Sequence, residues 1–294
     1  MKMRKDEVAK ILSGEIKTAI LNIDSETFKN AEEIRIKDGA PVLLYLSDSE
    51  IYLYNKEKQP LIAIREDLIK ILNNITKNSL YAYLEDIKRG YITIEGGHRI
   101  GICGTAVYEN GKIINIKDIS CINIRMAKEI KGISNSVFDR IYKDKTIKNT
   151  LIISPPGEGK TTLVRDITRN LSKEKNIKIA VIDERDEIAS VYMGKAQNDV
   201  GIRTFVMSGY NKKDGFEQSI RSLSPTVIVC DEIGGKEDVN AVKNAVNKGV
   251  KVITTIHGYS VSDIEKKEEY KDLLNCFECV ITIENHSYTV KERC

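Results

Sequence analysis

The apolar positions between residues 31 and 54 alternate, running Ile34 and Ile36, then Val42 and Leu44, then Ile51 and Leu53, with Asp38-Gly39 and Ser47-Asp48 between them. A period of two broken by turn residues predicts short strands with one buried face. From 65 to 85 the spacing lengthens, and Leu68, Ile69, Leu72, Ile75, Leu80 and Leu84 form the stripe of a helix packed on a core. Strand patterning returns over 91–94, 98–107 and 112–116, with turns at Gly96-Gly97 and Asn110-Gly111. This half of the chain reads as a small α+β domain.

The pattern changes after residue 146. An apolar run over 150–153 leads into a helix over 159–171, and further strands are expected over 178–182, 226–230 and 250–255. These runs are continuously apolar rather than alternating, as in a parallel sheet covered by helices on both faces. Between the halves, residues 130–148 carry Gly132, Ser134 and many lysines around a short helical pattern. The expected organisation is a first domain over 1–130, a linker over 131–146 and a second domain over 147–294.

The first strand of the second domain runs into Ser154-Pro155-Pro156-Gly157-Glu158-Gly159-Lys160-Thr161, with Thr162 next. Apart from Ser154 in place of the leading glycine, this is the phosphate-loop pattern between a strand and a helix. Gly157 and Gly159 give backbone that can turn its amides toward phosphate oxygens, and the helix adds its positive end. Lys160 is placed to reach the β- and γ-phosphates of ATP, Thr161 to put its hydroxyl on Mg2+, and Thr162 to lie near the α-phosphate. Residues 154–162 are therefore candidate nucleotide contacts. The fold expected around them is a P-loop (RecA-like) parallel-sheet α/β domain preceded by a smaller α+β domain.

Three other expected strands end in residues that can do chemistry. The run over 226–230 ends in Asp231-Glu232, with Asp231 assigned to the metal's outer shell and Glu232 to orienting or deprotonating the attacking water. The strand over 178–182 ends in Asp183-Glu184-Arg185-Asp186-Glu187, where Asp183 and Glu184 are candidates to share that work. The strand over 250–255 leads to His257, one of three histidines, at a position suited to sensing the γ-phosphate. Arg203 and Arg221 are candidates to stabilise phosphate charge, from the same chain or across a subunit interface, with surface ion pairs as the alternative.

Composition narrows the setting. The 294 residues are 41% hydrophobic and 30% charged, the balance of a folded protein expected in the cytoplasm. The first residues are basic, but Asp6 and Glu7 follow and no apolar leader segment appears, so export is not expected. No run approaches the roughly 18 apolar residues of a spanning helix, so a membrane role is peripheral, at the inner face, or through a partner. A formal charge of +3, without basic and aromatic residues interleaved, gives no reason to expect nucleic acid. Of the cysteines, only Cys276 and Cys279 have ligand-like spacing, and one such pair cannot complete a zinc site, so no zinc is expected.

The segments S-P-P-G-E-G-K-T-T-L-V-R-D, V-I-D-E-R-D-E-I-A, G-I-R-T, I-R-S-L-S-P, V-I-V-C-D-E-I-G and T-T-I-H-G together resemble the stage III sporulation protein AA family. The resemblance continues at Glu95-Gly96-Gly97-His98-Arg99-Ile100-Gly101 and from Asp118 to Arg125, and covers nearly the whole chain. That family is similar to the secretion and pilus ATPases of type II and type IV systems. Their Walker A loop, acidic box, Walker B strand and histidine box fall at Lys160, Asp183-Glu184, Asp231-Glu232 and His257. The resemblance implies a Mg2+-dependent ATPase that forms a ring, a homo-hexamer, and works as a motor on the cytoplasmic face of a membrane channel complex, on the mother-cell side of the channel to the forespore. It also marks Arg99 and Arg125 as residues that touch nucleotide from an adjacent subunit. Two other functions stay open on the residues alone: a nucleic-acid translocase, and a nucleotide switch that binds ATP without hydrolysing it, which Glu232 argues against.

Overall fold

The computed structural model describes residues 5–293, apart from the side chains of Leu80, Tyr81 and Arg89; the basic start at 1–4 and the Leu80 of the expected helical stripe lie outside the described set. The chain divides after Lys128 into two units.

In the first unit three short helices, α1 (Lys5–Ile11), α2 (Gly14–Asn22) and α3 (Ser25–Lys29), precede the strands. Six strands follow: β1 (Ala31–Lys37), β2 (Leu43–Leu46), β3 (Glu50–Tyr52), β4 (Ile92–Thr93), β5 (Arg99–Glu109) and β6 (Lys112–Arg125). They form an antiparallel sheet in the order β3-β2-β1-β6-β5-β4. Asn110 and Gly111 join β5 to β6 with φ of 49° and 74°, the left-handed pair that suits a two-residue hairpin turn. Ile34, Ile36, Ile100, Ile122 and Ile124 share one core with Leu68, Ile71 and Ile75 of α4 (Arg65–Thr76), and α5 (Leu84–Arg89) follows. The buried stripe of α4 is thus i, i+3, i+7. Ile69, one residue or about 100° from Leu68 around the helix, is 50% exposed and does not belong to it.

Residues 131–146, expected as a linker, belong to the second unit. Ser134 donates through its backbone N–H and its hydroxyl to Asp166 Oδ2, at 2.9 and 2.7 Å. Val137 and Ile141, the latter closing α6 (Phe138–Ile141), enter the same core as Ile147, Leu163 and Ile167. The lysines that make the stretch look like a connection, Lys131, Lys143 and Lys145, are on its exposed side.

Seven strands form the main sheet of this unit: β7 (Thr150–Ser154), β8 (Ile179–Asp183), β9 (Thr204–Ser208), β10 (Val227–Cys230), β11 (Lys251–His257), β12 (Cys279–Glu284) and β13 (Ser287–Glu292). Their order is β9-β8-β10-β11-β7-β12-β13, and every neighbouring pair is parallel except the hairpin β12–β13. Successive strand residues feed opposite cores. Leu151, Ile153, Ala180, Ile182 and Ile228 face one, and Ile152, Ile179, Val181, Val227 and Val229 the other. The second core takes Leu163, Val164, Ile167 and Leu171 from α7 (Lys160–Leu171). The first takes Phe216 from α8 (Lys212–Ser222), with Val239 and Val242 from α9 (Lys236–Asn247). Each such side chain contributes about 1.5–3 kcal/mol when covered, which is why the uninterrupted apolar runs require a layer on each face.

Candidate nucleotide site

The strand order sets the site. The carboxyl ends of β8, β10, β11 and β7 lie side by side, which brings Asp183, Asp231, His257 and Ser154 to one edge of the sheet. Ser154 closes β7 in extended backbone, fully buried, with its hydroxyl donating to Pro155 O at 2.8 Å. The first position of the loop pattern therefore needs no glycine here. Gly157 and Gly159 do need to be glycine, with φ of 85° and 90°, and Gly159 opens α7 so that Lys160 is its first helical residue.

Lys160 is buried under this turn. Its ammonium donates to Ser154 O at 3.2 Å, to Pro155 O at 3.1 Å and to His257 Nδ1 at 2.9 Å. His257 reaches it because β11 pairs with β7 in a register that sets His257 opposite Ser154. An ammonium only donates, so Nδ1 must accept, and the ring proton then sits on Nε2. Nε2 lies 3.0 Å from Glu232 Oε2, so one path runs from Lys160 through His257 to Glu232. Burial holds the Lys160 ammonium below its usual value, opposed by the charges of Glu232 and Glu187.

At the next strand end Asp231 is 5% exposed, and its Oδ1 is buried with no hydrogen-bond partner among the described residues. The nearest cation is Lys212, whose Nζ lies 3.5 Å from that oxygen and donates to Glu184 Oε2 at 2.7 Å. Burial pushes the Asp231 carboxyl up to about 7, with Lys212 pulling it back and Asp183 and Glu187 adding to the rise. Burial would lower Lys212, but the Glu184 hydrogen bond and the Asp231 charge outweigh it and hold it above its usual value. The first-turn position of Lys212 on α8, after the Asn211 cap, is the sequence signal for its role. A cation at a helix N-terminus opposes the helix dipole and implies an anionic partner. Gly215, one turn on, lets α8 approach β8: a Cβ there would stand 2.6 Å from Ile182 Cγ2.

The buried Asp231 oxygen and the Thr161 hydroxyl in the first turn of α7 are oxygen donors of the kind that Mg2+ takes. Among the described residues no group of three or more His, Cys, Asp or Glu side chains is arranged to hold a metal alone. That is compatible with Mg2+, which is commonly held by one or two carboxylates together with the phosphates it serves.

The other expected site residues divide. Asp183 is fully buried and both its oxygens are taken: Oδ1 accepts the N–H of Glu187 at 2.8 Å and of Ile188 at 3.2 Å, and Oδ2 that of Ala189 at 2.7 Å. It fastens the loop after β8, whereas Glu184 accepts a hydrogen bond from Lys212. Burial raises the Asp183 carboxyl, partly offset by those amides. Arg165 of α7 holds the same loop from the other side, donating to Glu187 O and Ile188 O at 2.7 and 2.8 Å. Glu158 of the phosphate loop accepts the His286 N–H at 2.9 Å from the β12–β13 turn. Thr161 and Thr162 occupy the first turn of α7, partly buried.

Neither candidate arginine of this unit lies near its own loop. Arg203 donates to Ser172 O at 2.7 Å, at the far end of the 12-residue α7, which puts it about 18 Å along the axis from Lys160. Arg221 is an exposed residue in the last turn of α8, ion-paired with Glu217. In the first unit Arg99 and Arg125 are direct cross-strand partners, and Arg99 lies over the Tyr91 ring at 4.6 Å. Cys279 is buried in β12 and Cys276 is partly buried just before it.

The fold, with its largely parallel sheet, is that of the secretion and pilus ATPases. The chain superposes on the crystal structure of the pilus retraction motor PilT with bound ADP at a TM-score of 0.63, 16% identical, covering 94% of this chain and 80% of that one. The X-ray structure of the Legionella pneumophila ATPase DotB superposes at 0.56, 18% identical, over 89% and 75%. The chain belongs to the family described as sporulation stage III, protein AA, whose model matches residues 2–291. Stage III sporulation protein AA of Bacillus subtilis (strain 168) is 38% identical over 272 residues, 91% of this chain and 86% of that protein. Among the described residues no helix is long and apolar enough to cross a membrane.

Proposed function

We propose that this chain binds ATP with Mg2+ at residues 154–162 and hydrolyses it, as the motor of a secretion-type assembly on the cytoplasmic face of a sporulation channel complex. The observation that carries the reading is the path Lys160–His257–Glu232 at 2.9 and 3.0 Å. It links the phosphate-binding cation to a carboxylate at the same strand edge. Phosphate oxygens are stronger acceptors than the two carbonyls and the imidazole that Lys160 now engages, so ATP draws the ammonium away from His257. Glu232, oriented by the His257 Nε2–H, then accepts a proton from the water that attacks the γ-phosphorus, while the bond from that phosphorus to the β,γ-bridging oxygen breaks and ADP leaves. Mg2+ held through the Thr161 hydroxyl and Asp231 would neutralise charge on the β- and γ-oxygens.

The motor role is supported by family membership and by the likeness to a pilus retraction motor that binds ADP. The homo-hexamer follows the same reasoning. In a ring, Arg99, Arg125, Arg203 or Arg221 acts on the nucleotide of a neighbouring copy, because Arg203 and Arg221 stand away from their own loop. The test is a comparison of Lys160→Ala and Glu232→Gln by fluorescent-nucleotide binding and ATP turnover. Lys160→Ala is expected to lose binding. Glu232→Gln is expected to keep it, with turnover down about 100-fold or more. Turnover unchanged in Glu232→Gln removes the assignment.

A further inference from the structure

Carboxylates crowd the strand edge: Asp183 ends β8 and Glu184 follows it, Asp231 and Glu232 follow β10, and Glu187 lies in the loop after β8. Asp183 is hydrogen-bonded by three backbone amides and Glu232 by His257. Glu184 and Asp231 share one cation, Lys212, which is 6% exposed and reaches both across the gap between two strand ends. Its geometry toward the two is unequal, a hydrogen bond at 2.7 Å to Glu184 and a 3.5 Å approach to Asp231 Oδ1. Lys212 thus stands against Asp231 Oδ1 as a counter-charge without a hydrogen bond to it, while its own hydrogen bond goes to Glu184.

We infer that Lys212 is a positioning residue of the ATPase site: it bridges Glu184 and Asp231 so that the Asp231 oxygen stays aimed at the Mg2+ position before nucleotide arrives. This rests on the ATP–Mg2+ reading above. Removing the bridge leaves the buried Asp231 and the partly exposed Glu184 without the cation they share, and like charges so placed turn away from each other. Metal binding then has to reassemble the edge. Binding of ATP without metal, which depends on Lys160 and the loop amides, is not touched.

The experiment measures the affinity of the full chain for a fluorescent ATP analogue in EDTA and in saturating Mg2+, with thermal unfolding in parallel. Lys212→Met is expected to leave the EDTA affinity within about twofold and to cut the Mg2+-dependent gain about tenfold. Lys212→Arg, which can hold both carboxylates with its fork, is expected to restore most of that gain. Glu184→Gln, which weakens the bridge from its other end, is expected to lose about threefold and serves if Lys212→Met does not fold. A Mg2+-dependent gain that is unchanged or larger in these variants overturns the inference, as does an equal loss with and without metal. A wild-type chain that binds no ATP overturns the nucleotide reading itself, and this inference with it.

Discussion

Asp183 and Asp231 stand at the carboxyl ends of adjacent parallel strands, both buried, both following an uninterrupted apolar run, and their surroundings could hardly differ more. Asp183 spends both oxygens on three backbone amides of the loop that follows it, and Arg165 ties down the same loop's carbonyls. Asp231 keeps an oxygen with no hydrogen-bond partner and has a lysine at 3.5 Å. One carboxylate shapes the backbone; the other is held ready for a ligand. Residue type and position in the sheet are the same, so the distinction lies in where the next six residues place their N–H groups.

The largest way to break that contrast is to truncate both residues. Asp183→Ala leaves three amides without an acceptor in a dry loop, at a cost of about 3–5 kcal/mol. Its thermal midpoint is expected to fall by roughly 6 °C or more. Asp231→Ala breaks no hydrogen bond through Oδ1 and leaves Lys212 its hydrogen bond to Glu184, so its midpoint is expected to hold. Its loss is expected instead in Mg2+-dependent nucleotide binding. Two variants with equal midpoints would dissolve the distinction.

A smaller effect sharpens it through pH. Asp231 takes up its proton as pH falls through about 7 in the folded chain, whereas an unfolded aspartate stays ionised down to about 3.9. Between these values the folded state binds the extra proton, so this group makes the nucleotide-free chain less stable as pH rises from about 4 to about 7. Asp231→Asn removes the titration. Its stability advantage over the wild type is expected to be near zero at pH 4 and about 4 kcal/mol at pH 8. Unfolding curves at a series of pH values in EDTA give the difference directly, and one that does not change with pH would mean Asp231 is not the desolvated acid of the pair.

Sequence carried the strand ends well and their partners poorly. Lys160, Asp231-Glu232 and His257 are legible because an apolar strand running straight into a polar residue has few alternatives at a sheet edge. Ser154 is a departure on paper only, since that position stays in extended strand. Asp183 misleads because the amides that claim it come from the curl of residues 187–189, which no residue spacing announces. Lys212 is missed because a lysine beside Asn211 reads as a solvated helix start. Residues 131–146 look like a linker by their lysines, although Val137, Ile141 and Ile147 enter the core. The edge strands β9 and β13 are likewise unannounced, their side chains being mixed and half-exposed instead of continuously apolar.

The contrast between committed and available side chains extends to the arginines, with the smallest expected effects. Arg203 gives its guanidinium to Ser172 O and its backbone N–H to the Ser172 hydroxyl, closing the end of α7. Arg221 lies 73% exposed and pairs with Glu217, one turn back. Arg203→Ala is expected to cost about 1 kcal/mol, the net value of one such hydrogen bond. Arg221→Ala is expected to leave the midpoint where it is, as exposed ion pairs within a helix contribute little. Neither is expected to change ATP affinity at concentrations where the chain is monomeric. Raising the concentration separates them: an arginine serving a neighbour's nucleotide lowers turnover only once copies assemble, and Arg221, free of any structural duty, is the cleaner probe. A loss of ATP affinity in monomeric Arg203→Ala, with its midpoint unchanged, would instead place that guanidinium at its own loop and contradict its hold on Ser172.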